Sequence, residues 1–236
     1  MAFRMYVDKE GIPYSDYGKY KGMHIGEQRS ILSVAERGIW YWNNFLKSRN
    51  ENEVLLSYDW EDTWPVNREI NPTDIVTAKQ MFINCSNLLL DNINDHGTHH
   101  LWVYSYQMSY GTNEGWGSAH AQIVGIQLLI RAFELTNEEK YFVPINKLLD
   151  AFKYPLENGG LADRTEKGLI WYEKFADPNN QKPKVLNGLL FTLLGLKDVY
   201  ERTKIKSAIR YYKKGKRTAL KLINKFDILL LFDNLL

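Results

Sequence analysis

The stretch GWGSAHAQIVGIQLLIRAFELT, residues 115–136, decides the fold class of this chain. From about Gly117 onward, apolar side chains return every three or four residues, at Ala119, Ile123, Ile126, Ile130 and Phe133. This spacing is the period of one face of an α-helix. The stretch therefore predicts a long helix with a buried face.

The same periodicity predicts two helices upstream of this one. The first runs from about Glu27 to Lys47. The second begins at residues 71–74, where a capping asparagine precedes a proline and an acid, and its apolar face extends to Ile93. Between the second and third helices, HHLWVYSYQMSY (99–110) is rich in aromatic residues that favour strands, which predicts a short strand or hairpin arm.

Three helices are predicted downstream. Thr136 and Glu139 have the spacing of a capping box for a fourth helix, which Pro144 should dent. A fifth helix is predicted over about 184–202 and a basic sixth helix from about Lys206. Six amphipathic helices with mostly short connections favour antiparallel hairpins, so we predict a mainly α fold with minor β-strands.

Composition limits the classes of function. With 236 residues, of which 44% are hydrophobic, the chain can bury a large core, and we predict a single domain over 1–236. A net charge of +2 argues against a dedicated nucleic-acid binder, although residues 206–225 hold eight basic residues and no acid, a stretch that would attract polyanions. The lone Cys85 cannot form an intrachain disulfide and is predicted to be buried. The amino terminus lacks the apolar core of a secretory signal and no membrane span is visible, so we expect a cytoplasmic chain.

Three motifs resemble the carboxy-terminal domain of the glucuronyl 5-epimerases. They are GWGSAHAQIVGIQLLIRAFELTNEEKYF (115–142), GGLADRTEKGLIWYEKF (159–175) and VLNGLLFTLLGLKDVY (185–200). The family has W-x-S-A-M-A-Q-G with L-L-x-R-A, then G-G with W-Y-E-E-Y-P, then V-L-N-G with G-L-Y-D. The resemblance is densest over residues 115–202.

The resemblance implies an incomplete (α/α) toroid of antiparallel helix pairs whose cleft receives a glucuronate-containing polysaccharide such as heparosan, without a cofactor or a metal. Inversion at carbon 5 of a uronate needs a base on one face of the sugar ring, an acid on the other, and a cation for the charge that develops on the carboxylate. We predict Tyr172 and Glu173 as the catalytic groups. The predicted substrate-binding residues are Arg131, Lys174, Trp171, Asn187, Gln122 and His120.

Ordinary structural roles compete with these assignments. Trp171 and Tyr172 could pack a loop onto the core, and Arg131 could form a surface ion pair. His120 and Gln122 could pack at a helix start, and Asn187 could cap the preceding loop.

The chain departs from the family at several positions. The tyrosine of W-Y-E-E-Y-P, to which the family assigns proton transfer, falls on Phe175, which has no exchangeable proton. Phe232 and Leu235 stand where the family has a further tyrosine and arginine. The apolar tail FDILLLFDNLL (226–236) predicts either a homo-oligomeric contact or a further carboxy-terminal segment.

Four other functions remain open from the sequence. A degenerate domain would bind an acidic glycan without turning it over, and a polysaccharide lyase would share the first proton abstraction. A glycosidase would need two carboxyls, such as Glu173 with Asp163 or Asp62. A zinc site at DHGTHH (95–100) is less favoured than a solvated loop, because the helical HExxH arrangement is lacking.

Overall fold

The computed structural model describes residues 4–20, 22–49, 75–108, 111–179 and 183–226. In this part of the chain, six α-helices dominate and the strands are short. The helices are α1 Ile31–Ser48, α2 Ile75–Asp91, α3 Ala119–Thr136, α4 Ile145–Asp150, α5 Leu186–Thr203 and α6 Lys206–Leu222. The prediction of a mainly α fold is confirmed, while the toroid remains a prediction. None of the helices in the described ranges combines the length and hydropathy needed to span a bilayer.

The strands are short and pair antiparallel. They are β1 Arg4–Val7, β2 Pro13–Asp16, β3 Lys19–Tyr20, β4 Met23–His24, β5 Glu27–Gln28, β6 Asn94–Asp95, β7 His100–Leu101, β8 Val103–Tyr104, β9 Trp116–Gly117, β10 Ala162–Arg164 and β11 Ile170–Tyr172. β1, β2 and β5 form a three-stranded sheet, and the others pair as β3–β4, β6–β7, β8–β9 and β10–β11. The predicted strand region at 99–110 is confirmed by β7 and β8, whereas the amino-terminal sheet was not predicted.

Helix α3 lies in the middle of the core. Ile123, Ile126 and Ile130 are at most 1% exposed, as their spacing predicts. The Ser118 hydroxyl accepts a hydrogen bond from the Ala121 amide at 3.3 Å and so caps the helix start, and Asn137 ends the helix in the left-handed conformation with φ 57°. The main apolar cluster around α3 includes residues from Ile12 to Ala219 and takes in the buried Cys85.

The predicted capping box is wrong. Thr136 is the last residue of α3, and its hydroxyl donates to the Ala132 carbonyl at 2.7 Å and accepts from the Glu138 amide at 3.2 Å. A 3₁₀ turn over Glu139–Tyr141 follows, and α4 begins only after Pro144. The predicted fourth helix is therefore interrupted before Pro144 and not merely dented there. The predicted start at 71–74 and the tail from 227 lie outside the described residues, as does Asp62.

Helices α3 and α5 run side by side in the same direction. Contacts between them keep a nearly constant sequence offset, which requires parallel axes. They join His120 to Phe191, Gln127 to Asp198, and Glu134 to Arg202.

The amino-terminal ends of α1, α3 and α5 meet around one segment, residues 173–177. The Ala119 amide donates to the Glu173 carbonyl at 2.8 Å, and Gly117 and Ala176 exchange two backbone hydrogen bonds. Gly188, in the first turn of α5, contacts the side chain of Lys174. Three helix starts therefore surround a segment that the first helical turn of α3 holds in place.

Candidate functional site

Three ionisable side chains from distant parts of the sequence meet at these helix starts. Glu36 comes from α1, His120 from the first turn of α3, and Lys174 from the segment after β11; we call them the ionisable cluster. Nε2 of His120 lies 3.8 Å from Oε1 of Glu36, which is too long for a hydrogen bond. Glu36 is 9% exposed and His120 is 2% exposed. The cluster therefore lies at the edge of the core, where solvation is poor.

Burial changes the proton affinity of each member. It raises the pKa of Glu36 to about 8, and the attraction of Lys174 acts in the opposite direction without cancelling this effect. Burial and, to a smaller extent, the charge of Lys174 together lower the pKa of His120 to about 3. The pKa of Lys174 is lowered by its own burial, against the pull of Glu36. The result is a carboxyl group that gains and loses its proton near neutral pH, the range that suits a general acid or base.

Local sequence explains how the cluster is held. The His120 ring stacks on Phe191 of α5, with centroids 4.7 Å apart. A Cβ atom at Gly188 would lie 2.6 Å from Cβ of Lys174, so the glycine makes room for the lysine stem. The positive ends of α1, α3 and α5 add a potential that favours an anion beside Lys174.

A group of tyrosines borders the cluster, and we call Tyr17, Tyr104 and Tyr106 the phenol group. The Tyr106 hydroxyl donates to that of Tyr17 at 3.4 Å, and the Tyr104 hydroxyl accepts from the Leu32 amide at 3.2 Å. Burial raises the pKa of all three, and the charge of Glu36 contributes at Tyr104. These phenols therefore keep their protons at neutral pH.

Phe175, which the motif resemblance matches to a tyrosine, packs beside this phenol group. Its ring lies 5.4 Å from that of Trp116, and the Trp116 ring stacks on Tyr104 at 3.9 Å. Phe175 has no hydroxyl, but the tyrosines of the phenol group lie in the same aromatic layer and carry one each.

Tyr172 and Glu173 are placed differently from each other. The Tyr172 hydroxyl donates to the Tyr211 carbonyl at 2.9 Å, and its fully buried ring packs under Gly215 of α6. Burial raises the pKa of Tyr172. Glu173 is also fully buried, and its amide extends the β11 ladder by donating to Leu161 at 3.0 Å. Consecutive side chains of an extended strand point to opposite faces, so this backbone does not bring the two groups together.

Arg131 and Gln122 have structural partners. The Arg131 guanidinium makes a bidentate ion pair with Asp198, with both N–O distances 3.0 Å, and is fully buried. Arg131 lies twelve residues after Ala119, about 18 Å along the axis of α3. Gln122 accepts from the Trp102 amide at 3.2 Å and donates to His100 and Leu148 carbonyls at 3.0 and 2.9 Å.

Trp171 and Asn187 complete the predicted set. Trp171 is fully buried, stacks on Phe226 at 5.8 Å, and lines a cavity of about 440 Å³. Asn187 is exposed in the first turn of α5, next to Gly188. Of the eight predicted residues, the structure gathers His120 and Lys174, with Glu173 next to Lys174 in sequence. The roles predicted for the eight residues remain predictions.

The histidines of 95–100 contact one another and the segment 154–159. The His99 ring lies between those of His96 and Tyr154, at 5.1 and 4.9 Å, and its Nε2 is 2.9 Å from the Gly159 carbonyl. Within the described ranges, no group of three or more acidic, histidine or cysteine side chains is arranged to hold a metal ion.

Glu36 and the phenol group were missed by the sequence analysis. Glu36 and Arg37 are the only charged residues of α1 before Lys47, and helical spacing places them on one side of the helix with Ser33 and the two asparagines. Such a polar side ordinarily faces solvent, whereas here Ser33, Glu36 and Arg37 are buried. No pattern in the sequence therefore pointed to Glu36.

The described part of the chain is a mainly helical domain with a buried carboxyl, an imidazole, an ammonium group and phenols at one end, the kinds of group that proton transfer near an anion uses. Comparison with known proteins agrees with that class, because a family model for the D-glucuronyl C5-epimerase C-terminus matches residues 94–230. The chain belongs to this family.

Two known proteins are similar to this chain in sequence. An uncharacterized protein of Methanocaldococcus jannaschii is 27% identical over 227 residues, which is 94% of this chain and 69% of the relative. The D-glucuronyl C5-epimerase of Caenorhabditis elegans is 33% identical over 163 residues, which is 62% of this chain. That alignment spans 26% of the nematode enzyme's length.

Proposed function

We propose that this chain binds a glucuronate-containing polysaccharide such as heparosan and exchanges the proton at carbon 5 of the uronate. The observation that carries this proposal is the buried Glu36, whose pKa is raised to about 8, beside Lys174 in a member of the epimerase family. The proposal extends to this chain the activity in the name of the nematode relative.

The reaction begins with loss of the carbon 5 proton. Glu36 in its carboxylate form takes this proton, and the electron pair moves onto the neighbouring uronate carboxylate. Lys174 and the three helix starts stabilise the charge on those oxygens. Glu173 is also buried and directly precedes Lys174 in the sequence, so it is the alternative base in this proposal.

Inversion requires a proton from the opposite face of the sugar ring. The Tyr106–Tyr17 pair supports this step, because both phenols keep their protons at neutral pH and stand in the aromatic layer that holds Phe175. The phenolate formed there regains a proton from solvent, and Glu36 releases its proton to solvent. The enzyme returns to its starting state without a cofactor.

One observation favours binding without turnover. Phe175 replaces the tyrosine that the family uses for proton transfer, and a positioned acid or base contributes a factor on the order of 10² to 10⁴. If the phenol group does not replace the missing tyrosine, the chain would bind the glycan and leave carbon 5 unchanged.

Incubation with heparosan in heavy water tests the proposal. We expect the carbon 5 proton signal to decrease as deuterium enters, with the rate proportional to protein concentration. Heparosan binding without deuterium entry would leave an acidic-glycan-binding domain and contradict the exchange. A product absorbing in the ultraviolet would show elimination across the ring and assign a lyase instead.

A further inference from the structure

Helix α6 carries a continuous row of exposed cations. Five members recur at three- or four-residue spacing and Lys213 is adjacent to one of them; the six are Lys206, Arg210, Lys213, Lys214, Arg217 and Lys221. No acid occurs in α6, and the fifteen residue-to-residue steps from Lys206 to Lys221 rise about 22 Å along the helix axis. We call this row the cationic track. Its length and sign fit an extended polyanion better than a single small anion.

The track ends at two adjoining cavities. One, of about 340 Å³, is lined by Lys167, Leu169, Arg217, Lys221 and Leu222. The second, of about 440 Å³, shares Lys167 and Leu222 with it and continues to Trp171 and Phe226. The α6 cations therefore lead into a recess that has both a basic rim and an apolar, aromatic wall.

The wall of the larger cavity suits a sugar. Aromatic and aliphatic side chains pack on the apolar face of a pyranose, and cations at the rim bind its carboxylate. Leu222 and Phe226 are half-buried and supply this accessible apolar surface, whereas Trp171 is fully buried behind them, with an Nε1–H that has no acceptor among the described residues.

Few acidic groups lie near the track, and two of them already have side-chain partners. Asp163 pairs with Lys184 at 3.0 Å in the larger cavity, and Asp150 lies 3.3 Å from the Tyr211 hydroxyl near the middle of the track. Glu166 is exposed in the turn before Lys167. The exposed Arg164, Lys167, Arg217 and Lys221 outnumber these acids at the recess.

We infer that the cationic track and its two cavities form a second binding site, which takes several units of an acidic polysaccharide apart from the ionisable cluster. The choice of a glycan rests on the proposed function. The segment from Trp171 to Lys174 contributes to both sites, and its three steps of extended chain span about 10 Å. The track anchors the polymer, and the ionisable cluster acts on one uronate.

A charge-matched pair of variants tests the inference. The track variant combines Lys167→Gln, Arg217→Gln and Lys221→Gln. The control combines Lys140→Gln, Lys153→Gln and Lys197→Gln, three exposed cations elsewhere on the surface. All six side chains are exposed, so both variants should fold, and circular dichroism checks this.

Calorimetry with heparosan oligosaccharides at two salt concentrations gives the readout. We expect the track variant to bind about tenfold more weakly, with a smaller salt dependence, and the control variant to bind as the parent does. Unchanged binding in the track variant, or equal weakening in the control, would overturn the inference. Equally tight parent binding of a single-stranded oligonucleotide of the same charge would overturn the glycan assignment.

The heavy-water assay separates this inference from the proposed function. At saturating heparosan, the track variant should exchange carbon 5 at the parent rate, because its ionisable cluster is intact. A parent protein that binds through the track and exchanges nothing would refute the proposed function and leave the second site standing. Equal exchange rates of the parent and the track variant at low heparosan concentration would refute the second site.

Discussion

Glu36 owes its proton affinity to burial, and His120 is shifted in the opposite direction by the same cause. For Glu36 the folded pKa is about 8 against an ordinary value of 4.5, so the folded state holds an extra proton between these values. Its contribution to stability is present below pH 4.5 and is lost as pH rises towards 8. For His120 the folded pKa is about 3 against 6.5, so stability is lost as pH falls through that window. The two effects oppose each other between 4.5 and 6.5.

Replacing the carboxyl with an amide isolates the contribution of Glu36. We predict that Glu36→Gln gains stability relative to the parent as pH rises, by about 3 kcal/mol between about pH 5 and about pH 7.5. The reason is that glutamine has no proton to lose. Urea denaturation at both pH values measures the difference.

Glu201→Gln is the matched control, because Glu201 is exposed and pairs with Lys197 at 3.4 Å on one helix. Its effect should stay within about 0.5 kcal/mol at both pH values. A stability difference for Glu36→Gln that does not change with pH would show that this carboxyl is ionised in the fold.

At the residue scale, the sequence predicted part of the site. His120 and Lys174 were chosen because they fall within the motifs, and the structure gathers them. Glu36 lies 84 positions before His120, outside the motifs and on the polar side of its helix, so no local pattern pointed to it. Tyr17 and Tyr106 meet across 89 positions, a contact that no local pattern encodes.

The buried ion pair between α3 and α5 acts at the scale of the element. Arg131 is fully buried, and Asp198 lies at the same level of the neighbouring parallel helix. We predict that Asp198→Asn destabilises the fold by about 3 to 5 kcal/mol, because the guanidinium keeps its charge and loses its partner. Denaturation at one pH measures the loss, and Glu201→Gln again serves as the exposed control on α5. Equal small effects in both variants would contradict a structural role for the Arg131 pair.

The first turn of α5 allows a second prediction at this scale. Gly188→Ala improves helix propensity by about 1 kcal/mol but places a methyl group where Lys174 packs. We expect carbon 5 exchange to fall at least about tenfold while the fold stays intact, because Lys174 is displaced from the ionisable cluster. Asn187→Ala, at the preceding exposed position, is the control and should leave stability unchanged within about 0.5 kcal/mol. Exchange at the parent rate in Gly188→Ala would show that the position of Lys174 does not matter to the reaction.

Element prediction succeeded where periodicity is long and failed where pairing is local. The long helices α1, α3, α5 and α6 follow the predicted periods within a few residues at their starts. The fourth helix is shorter than predicted, because Pro144 delays its start and Thr136 belongs to α3. The sheet of β1, β2 and β5 was missed, since strands of two to four residues are defined by their partners more than by their own sequence.

For the whole molecule, the candidate site depends on where the helices begin. The parallel α3 and α5 bring their positive amino-terminal ends to residues 173–177, and the ionisable cluster forms there with Glu36 from α1. The motifs predicted the helices and the family; the proton chemistry that they predict at Tyr172 stays a prediction, and the Tyr172 hydroxyl donates to the Tyr211 carbonyl in the core. The meeting of α1 with the motif helices is a long-range contact, and so it could be seen only in the structure.

The most direct test of the account compares carbon 5 deuterium entry into heparosan for Glu36→Gln and Tyr172→Phe. The account predicts that Glu36→Gln slows entry at least about a hundredfold, because it removes a proton-carrying group. Tyr172→Phe should exchange at close to the parent rate once any loss of stability is allowed for. A large loss of rate in Tyr172→Phe, with parent-like exchange in Glu36→Gln, would contradict the assignment of the chemistry to the ionisable cluster.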